Sequence, residues 1–140
     1  MSTAYKVLPH YTYEDYRQWE GKWELIEGIP YAMSPAPNIR HQRISVKMLA
    51  LFHQALKTNA CDCEALMPVD YKVAEDIIIQ PDLLIMCPPA IEGNYVTQTP
   101  QLVVEVLSPS TAMKDRNNKF IIYEAQKIPY YLIVDLRKTW

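Results

Sequence analysis

Glu105 is the residue in this chain that does not suit its surroundings. It sits in Leu102 to Thr111 (LVVEVLSPST) among Val103, Val104, Val106 and Leu107, a near-continuous apolar run of the kind that forms a strand buried on both faces. An ionised carboxylate there is costly unless a cation, a partner charge or hydrogen-bond donors compensate it, and an unpaired one stays protonated. Asp82 offers a companion, directly after Pro81 at the start of LLIMC. Two carboxylates from neighbouring strands, with no Cys or His between them, make an oxygen-rich site of the kind hard divalent cations such as magnesium prefer. The alternative is structural: Asp82 turns the chain at Pro81, and Glu105 pairs with a helix lysine.

Further candidates lie on both sides. Asp115, Lys119 and Tyr123 are spaced by four, so on a helix they share one slowly drifting face. Lys119 then either pairs with Asp115 at the surface or turns inward to an anionic substrate or attacking water. Glu24 and Glu27 are three apart in a predicted strand, so they point to opposite faces; Glu24 is expected to face the acids and Glu27 to point away. Crowded carboxylates should leave at least one acid with a raised pKa in the metal-free protein, provided no lysine neutralises it. His41, one turn before Ile44 on a helical stripe, reads as a hydrogen-bonded, partly buried imidazole rather than a catalyst or ligand.

The elements that must position these residues follow from periodicity. Thr12 begins TYEDYRQWE, a short helix expected to run to about Trp19, with an acid-rich first turn. WELIEG and PYAMS read as a hairpin about Gly28. From Ile39 to about Lys57, Ile44, Met48, Leu51, Phe52 and Ala55 recur at helical spacing among Arg40, Arg43, Lys47 and Lys57. CDCEALM, PVDYKVA and the two halves of IIIQPDLLIMC read as strands, with Pro81 breaking the last. Pro88 to Pro100 is expected to be a loop. Pro109 ends the central strand, Ser110 or Thr111 caps a helix to about Gln126, and YYLIVD is a final strand. That order implies an α/β fold with one mixed sheet flanked by helices and a parallel pair at the end. Glu105 would stand near the carboxyl end of a buried strand, where open α/β sheets put ligands.

Size and composition narrow the classes. At 140 residues, 49% apolar, with three glycines, the chain is expected to form one domain over residues 1–140 with a real core. The net charge of −2 gives no global attraction to nucleic acid or anionic membrane, so a polyanion partner must use a local basic patch. Cys61, Cys63 and Cys87, without a CxxC pair, are expected to be free thiols rather than zinc ligands. No apolar signal core and no stretch long enough for a membrane span occurs, so the expected location is cytoplasmic, without a membrane partner.

ELIEG (Glu24 to Gly28), His41 at the start of the long helix, PDLLI (Pro81 to Ile85), VVEVLSPST (Val103 to Thr111), DRNNK (Asp115 to Lys119) and YYLIVD (Tyr130 to Asp135) occur in that order. Together they resemble the Uma-two family of restriction-endonuclease-like bacterial proteins, over nearly the whole chain. The resemblance implies the PD-(D/E)xK nuclease fold, in which Asp and Glu from adjacent strands hold magnesium or manganese and a lysine assists the attacking water. It makes Asp82 and Glu105 the metal ligands, with Glu24, Asp82, Glu105 and Lys119 as the catalytic set and Glu27 at the position of a second upstream acid. The lysine expected two positions after Glu105 is replaced by Leu107, and the family pattern supplies Lys119 from the following helix instead.

The expected function is therefore a metal-dependent endonuclease acting on DNA, with Lys119→Ala leaving the fold and metal binding intact while lowering cleavage. The chain stops at Trp140, five residues past YYLIVD, where relatives continue. A C-terminally shortened sheet with an apolar last strand leads to the expectation of a homodimer. The competing reading, of a different class, is a non-catalytic relative that keeps the fold and binds nucleic acid or itself.

Overall fold

The computed structural model describes residues 9–33, 38–89, 92–107 and 112–136, with backbone alone at 112–117. The elements run α1 (Tyr13–Tyr16), β1 (Trp23–Ile26), β2 (Ile29–Ala32), α2 (Ile39–Thr58), β3 (Glu64–Leu66), β4 (Asp70–Ala74), β5 (Ile77–Ile79), β6 (Leu83–Met86), β7 (Tyr95–Val96), β8 (Leu102–Leu107), α3 (Ala112–Ala125) and β9 (Tyr130–Asp135). The fold class is α/β, as its periodicities indicate. Two differences from the expected elements are local: α1 stops at Tyr16, short of Trp19, and β7 forms inside the expected loop by pairing in parallel with β4. The proposed cap at Ser110 or Thr111 lies outside the described residues.

The larger difference is in the sheets. Instead of one mixed sheet there are two, ordered β2-β1-β5-β4-β7 and β3-β6-β8-β9. The chain passes from the first to the second through Gln80, Pro81 and Asp82, between β5 and β6. Pro81 has no N–H for a ladder, so β5 and β6 cannot continue as one strand there. The parallel β8–β9 pair is joined through α3, the crossover that a strand-helix-strand order requires.

The core lies between these layers. Tyr71 and Ile79 of the first sheet meet Leu84, Met86 and Val103 of the second, closed by Ile122 and Tyr123 of α3. On the other face of the second sheet, Leu83, Val104 and Val106 pack against Ile44, Met48, Leu49 and Phe52 of α2. Successive residues of β8 thus alternate between the two cores. Val103 faces α3 and the first sheet, and the same parity sends Glu105 into that space.

The β1–β2 hairpin turns on Glu27 and Gly28, both at positive φ (51° and 77°), as a two-residue primed turn requires. A side chain at Gly28 would collide with the ring of His10, 2.2 Å from the ideal Cβ position. The turn is thereby pinned, and it sets the register that pairs Glu24 with Tyr31.

The cysteines depart from expectation. Cys63 and Cys87 form a disulfide, and Cys61 alone is free and exposed. The cause is register: Glu64 pairs with Met86 across β3 and β6, and one further step sets Cys63 opposite Cys87, at a Cα separation of 4.0 Å. Among the described residues no helix is long and apolar enough to cross a membrane.

Candidate functional site

Four separate segments bring charged side chains to the carboxyl end of β8. The β1–β5 register, Leu25 to Ile78, lays Glu24 beside the end of β5, where its Oε2 accepts the Gln80 backbone N–H at 2.7 Å. The antiparallel β6–β8 register pairs Leu83 with Val104, and one further step sets Asp82 opposite Glu105. Directly opposed residues have Cβ atoms about 5 Å apart. Asp82 is fastened there by its own N–H to the Val104 carbonyl (3.0 Å) and by Oδ2, which accepts from Val106 N–H (2.6 Å).

Lys119 comes from α3. Its ammonium lies 2.7 Å from Glu24 Oε2 and 3.2 Å from Glu105 Oε1, and donates to the Gln80 carbonyl at 3.2 Å. The lysine is 2% exposed. It is therefore turned inward and not a surface cation; the side chain of Asp115, its alternative partner, lies outside the described residues. One turn on, the Tyr123 hydroxyl donates to Glu105 Oε1 at 2.5 Å. Glu24 is buried and Glu27 is exposed, but Glu27 occupies the turn after β1 and not the strand itself.

The electrostatics follow from this packing. Burial pushes Glu105 up to about 8, against the opposing pull of Lys119, and the negative charges of Asp82 and Glu24 add to the rise. Desolvation outweighs the lysine because the ammonium lies closer to Glu24 and a fully enclosed carboxylate has lost its water. The site thus favours the protonated form of Glu105 far more than water does. Tyr123 is pushed well above the usual phenol range, first by burial and then by the neighbouring Glu105.

His41 sits at the open lip of this cluster. Its Nε2 is 3.2 Å from Asp82 Oδ1, and its Nδ1 is 3.4 Å from the Ser45 hydroxyl. The hydrogen bond that its ring donates to Asp82 raises its pKa, partly offset by burial. It is a hydrogen-bonded, partly buried imidazole, and its partner is the candidate aspartate.

One participant, Gln80, carries no signal in the sequence reading. Gln80 works through its backbone, joining Glu24 to Lys119, and backbone groups are invisible to residue type. Its side chain donates to Asp70 Oδ1, which also accepts from Tyr16 (2.7 and 2.8 Å). Beyond them lies a cavity of about 270 Å³ lined by Tyr13, Tyr16, Arg17, Trp19, Trp23 and Asp70 among others. Tyr123 carried a signal, its spacing of four from Lys119, although spacing does not say what its hydroxyl meets.

Among the described residues no three His, Cys, Asp or Glu side chains form a ready metal cage. The donors at hand are two opposed carboxylates, Asp82 and Glu105.

Comparison with known proteins bears on this arrangement. Residues 13–140 match the sequence profile of the family Uma2, described as "Putative restriction endonuclease". An uncharacterized protein of Synechocystis sp. is 37% identical over 126 residues, covering 83% of this chain; the chain spans 63% of that relative's length. A crystal structure from Anabaena variabilis, described as a "putative nuclease", superposes with a TM-score of 0.76 at 17% identity, over 89% of this chain and 73% of that one. The fold is restriction-endonuclease-like.

Proposed function

Because this chain belongs to the Uma2 family, we propose that it is a metal-dependent endonuclease that hydrolyses DNA phosphodiester bonds, with Asp82 and Glu105 as ligands for magnesium or manganese. One observation carries the reading: Glu24, Asp82, Glu105 and Lys119 converge from β1, the β5–β6 crossing, β8 and α3 on one carboxyl strand end. Three of the four, Glu24, Glu105 and Lys119, are buried, and burying such an assembly of charge is costly.

The residues fit a hard divalent ion. Both donors are carboxylates, and burial together with the neighbouring negative charges raises the pKa of Glu105, a shift that a bound cation would oppose. Magnesium is commonly held by one or two carboxylates plus water and substrate phosphate rather than by a protein cage. Such an ion supplies Lewis-acid polarisation of a phosphoryl oxygen and lowers the pKa of bound water.

The chain's own residues have distinct tasks. Lys119, held by Glu24 and the Gln80 carbonyl, keeps a positive charge next to the carboxylates without rearrangement, where it can stabilise negative charge developing on phosphate or orient water. Leu107 cannot supply that charge from the strand. Tyr123 orients Glu105, and His41 with Val106 N–H orients Asp82. Glu24 acts through the lysine and is not a ligand.

The test is cleavage of a plasmid by purified protein with added magnesium or manganese, alongside calorimetric titration of the metal. The expected result is cleavage and binding, both lost in Asp82→Ala. Metal binding unchanged in Asp82→Ala, or no cleavage with either ion, would sink the reading. The proposal includes a homodimer through β9, the edge strand of its sheet, on which Tyr130, Leu132 and Ile133 are exposed. Sedimentation showing only monomer at high concentration would remove that part.

A further inference from the structure

α2 bears Arg40, Arg43, Lys47 and Lys57 and no acidic residue along its 20 positions, in a chain of net charge −2. Its inward side packs on the second sheet through Ile44, Met48, Leu49 and Phe52. Arg43 and Lys47 are exposed, one turn apart on the opposite side. Arg17 and Lys72 elsewhere on the surface each have a glutamate within 3.5 Å. Among the described residues Arg43 and Lys47 have no such partner, while Arg40 donates to the Leu136 carbonyl.

The helix also has a direction relative to the site. His41, in its first turn, touches Asp82. Its far end leads into β3, whose first residue, Glu64, pairs with Met86 at the end of β6 remote from Asp82. At 1.5 Å of rise per residue, Arg43 lies about 3 Å, Lys47 about 9 Å and Lys57 about 24 Å along the axis from His41. Of the described cations on α2, the unneutralised ones nearest the site are therefore Arg43 and Lys47.

We propose that the outward face of α2 around Arg43 and Lys47 is a phosphate-contact track that holds the nucleic-acid duplex flanking the scissile bond. This rests on the nuclease reading and names the surface that reading requires. With no net positive charge, the chain needs a local patch to attract a polyanion, and contacts to backbone phosphates position a duplex without reading its sequence. Ile39, Val46 and Leu51 are exposed on the same helix (66%, 57% and 70%), a mixture also found on helices that lie on anionic membranes. Contact between His41 and Asp82 favours nucleic acid, because it puts the start of the cationic face at the candidate site.

The experiment is fluorescence anisotropy of a labelled DNA duplex with the full chain in EDTA, over a series of salt concentrations. Arg43→Glu and Lys47→Glu are compared with Lys57→Glu, an equal charge reversal at the remote end of the same helix. Each of the first two should weaken binding about threefold to tenfold and lower the slope of log K against log salt by about 0.9. Lys57→Glu should match the wild type, and circular dichroism should show all three folded. Equal affinity and slope for all four proteins would overturn the track, as would failure of the wild type to bind duplex. Binding to phosphatidylserine vesicles but not duplex, lost in Arg43→Glu, would overturn it in favour of a membrane surface. Plasmid cleavage by the same proteins separates the two proposals. Metal-dependent cleavage with Arg43-independent duplex binding removes the track alone; Arg43-dependent binding without cleavage removes the nuclease reading alone.

Discussion

Glu24, Glu105 and Lys119 are each at most 5% exposed, whereas the side chains of Asp82 and His41, on the same cluster, keep 20% and 15% of their surface. The difference is one of solvation. In the buried half each charged group depends on the others, because water cannot replace a lost partner. At the lip, water can compensate a missing contact, and an incoming ligand can do the same. Changes in the buried half should therefore register as stability, and changes at the lip as binding.

Lys119→Met makes the sharpest test of that division. Removing the ammonium leaves Glu24 and Glu105 facing each other without a cation, and unfolding in urea should show a loss of about 3–5 kcal/mol. Because the lysine is buried, Lys119→Ala, expected from the sequence to leave the fold intact, should lose stability on the same ground. A loss below about 1 kcal/mol, the range of a surface pair, would mean that the buried half is not a mutually dependent unit.

Glu105 provides a test by pH. Its folded pKa of about 8 lies above the ordinary value of 4.5, so the folded state binds the proton more tightly than the unfolded chain. The stability linked to that proton is complete below about 4.5 and is lost as pH rises through about 8. Thermal melts of Glu105→Gln, which stays neutral, should vary less than the wild type between about pH 5 and pH 9. Parallel curves would place the titrating group elsewhere.

Asp82→Asn should behave in the contrasting way. It keeps an acceptor for Val106 N–H but loses the charge, so the stability cost should be about 1 kcal/mol while calorimetric magnesium binding disappears. A cost comparable to that of Lys119→Met would erase the distinction between lip and interior.

His41→Gln is expected to have the smallest effect on folding, under about 1 kcal/mol. Because Asp82 raises the His41 pKa, that contribution is full below about 6.5 and fades as pH rises through the raised value. Magnesium affinity should nonetheless fall about tenfold or more, as for other groups that hold a metal-ligating side chain in place. Unchanged affinity would make the imidazole a packing residue.

Much of the chain was legible from local pattern. The hairpin at Gly28, the long helix α2, the central strand and the final parallel pair follow from residue type and spacing, because helix and strand periodicities and turn preferences act over a few neighbouring residues. Glu105 was visible as a charge among apolar neighbours, and the spacing of Lys119 and Tyr123 put them on one helix face. What remained hidden depends on contacts between distant segments. Two sheets stand where one was expected, since strand composition does not say which strands pair. Cys63 meets Cys87 only through the β3–β6 register, and His41 meets Asp82 only because α2 packs across β8. Which way Lys119 turned was likewise undecided by sequence: spacing allowed either the surface or the interior. Packing α3 over the buried face of β8 took its ammonium out of water, and the carboxylates of Glu24 and Glu105 compensate it there.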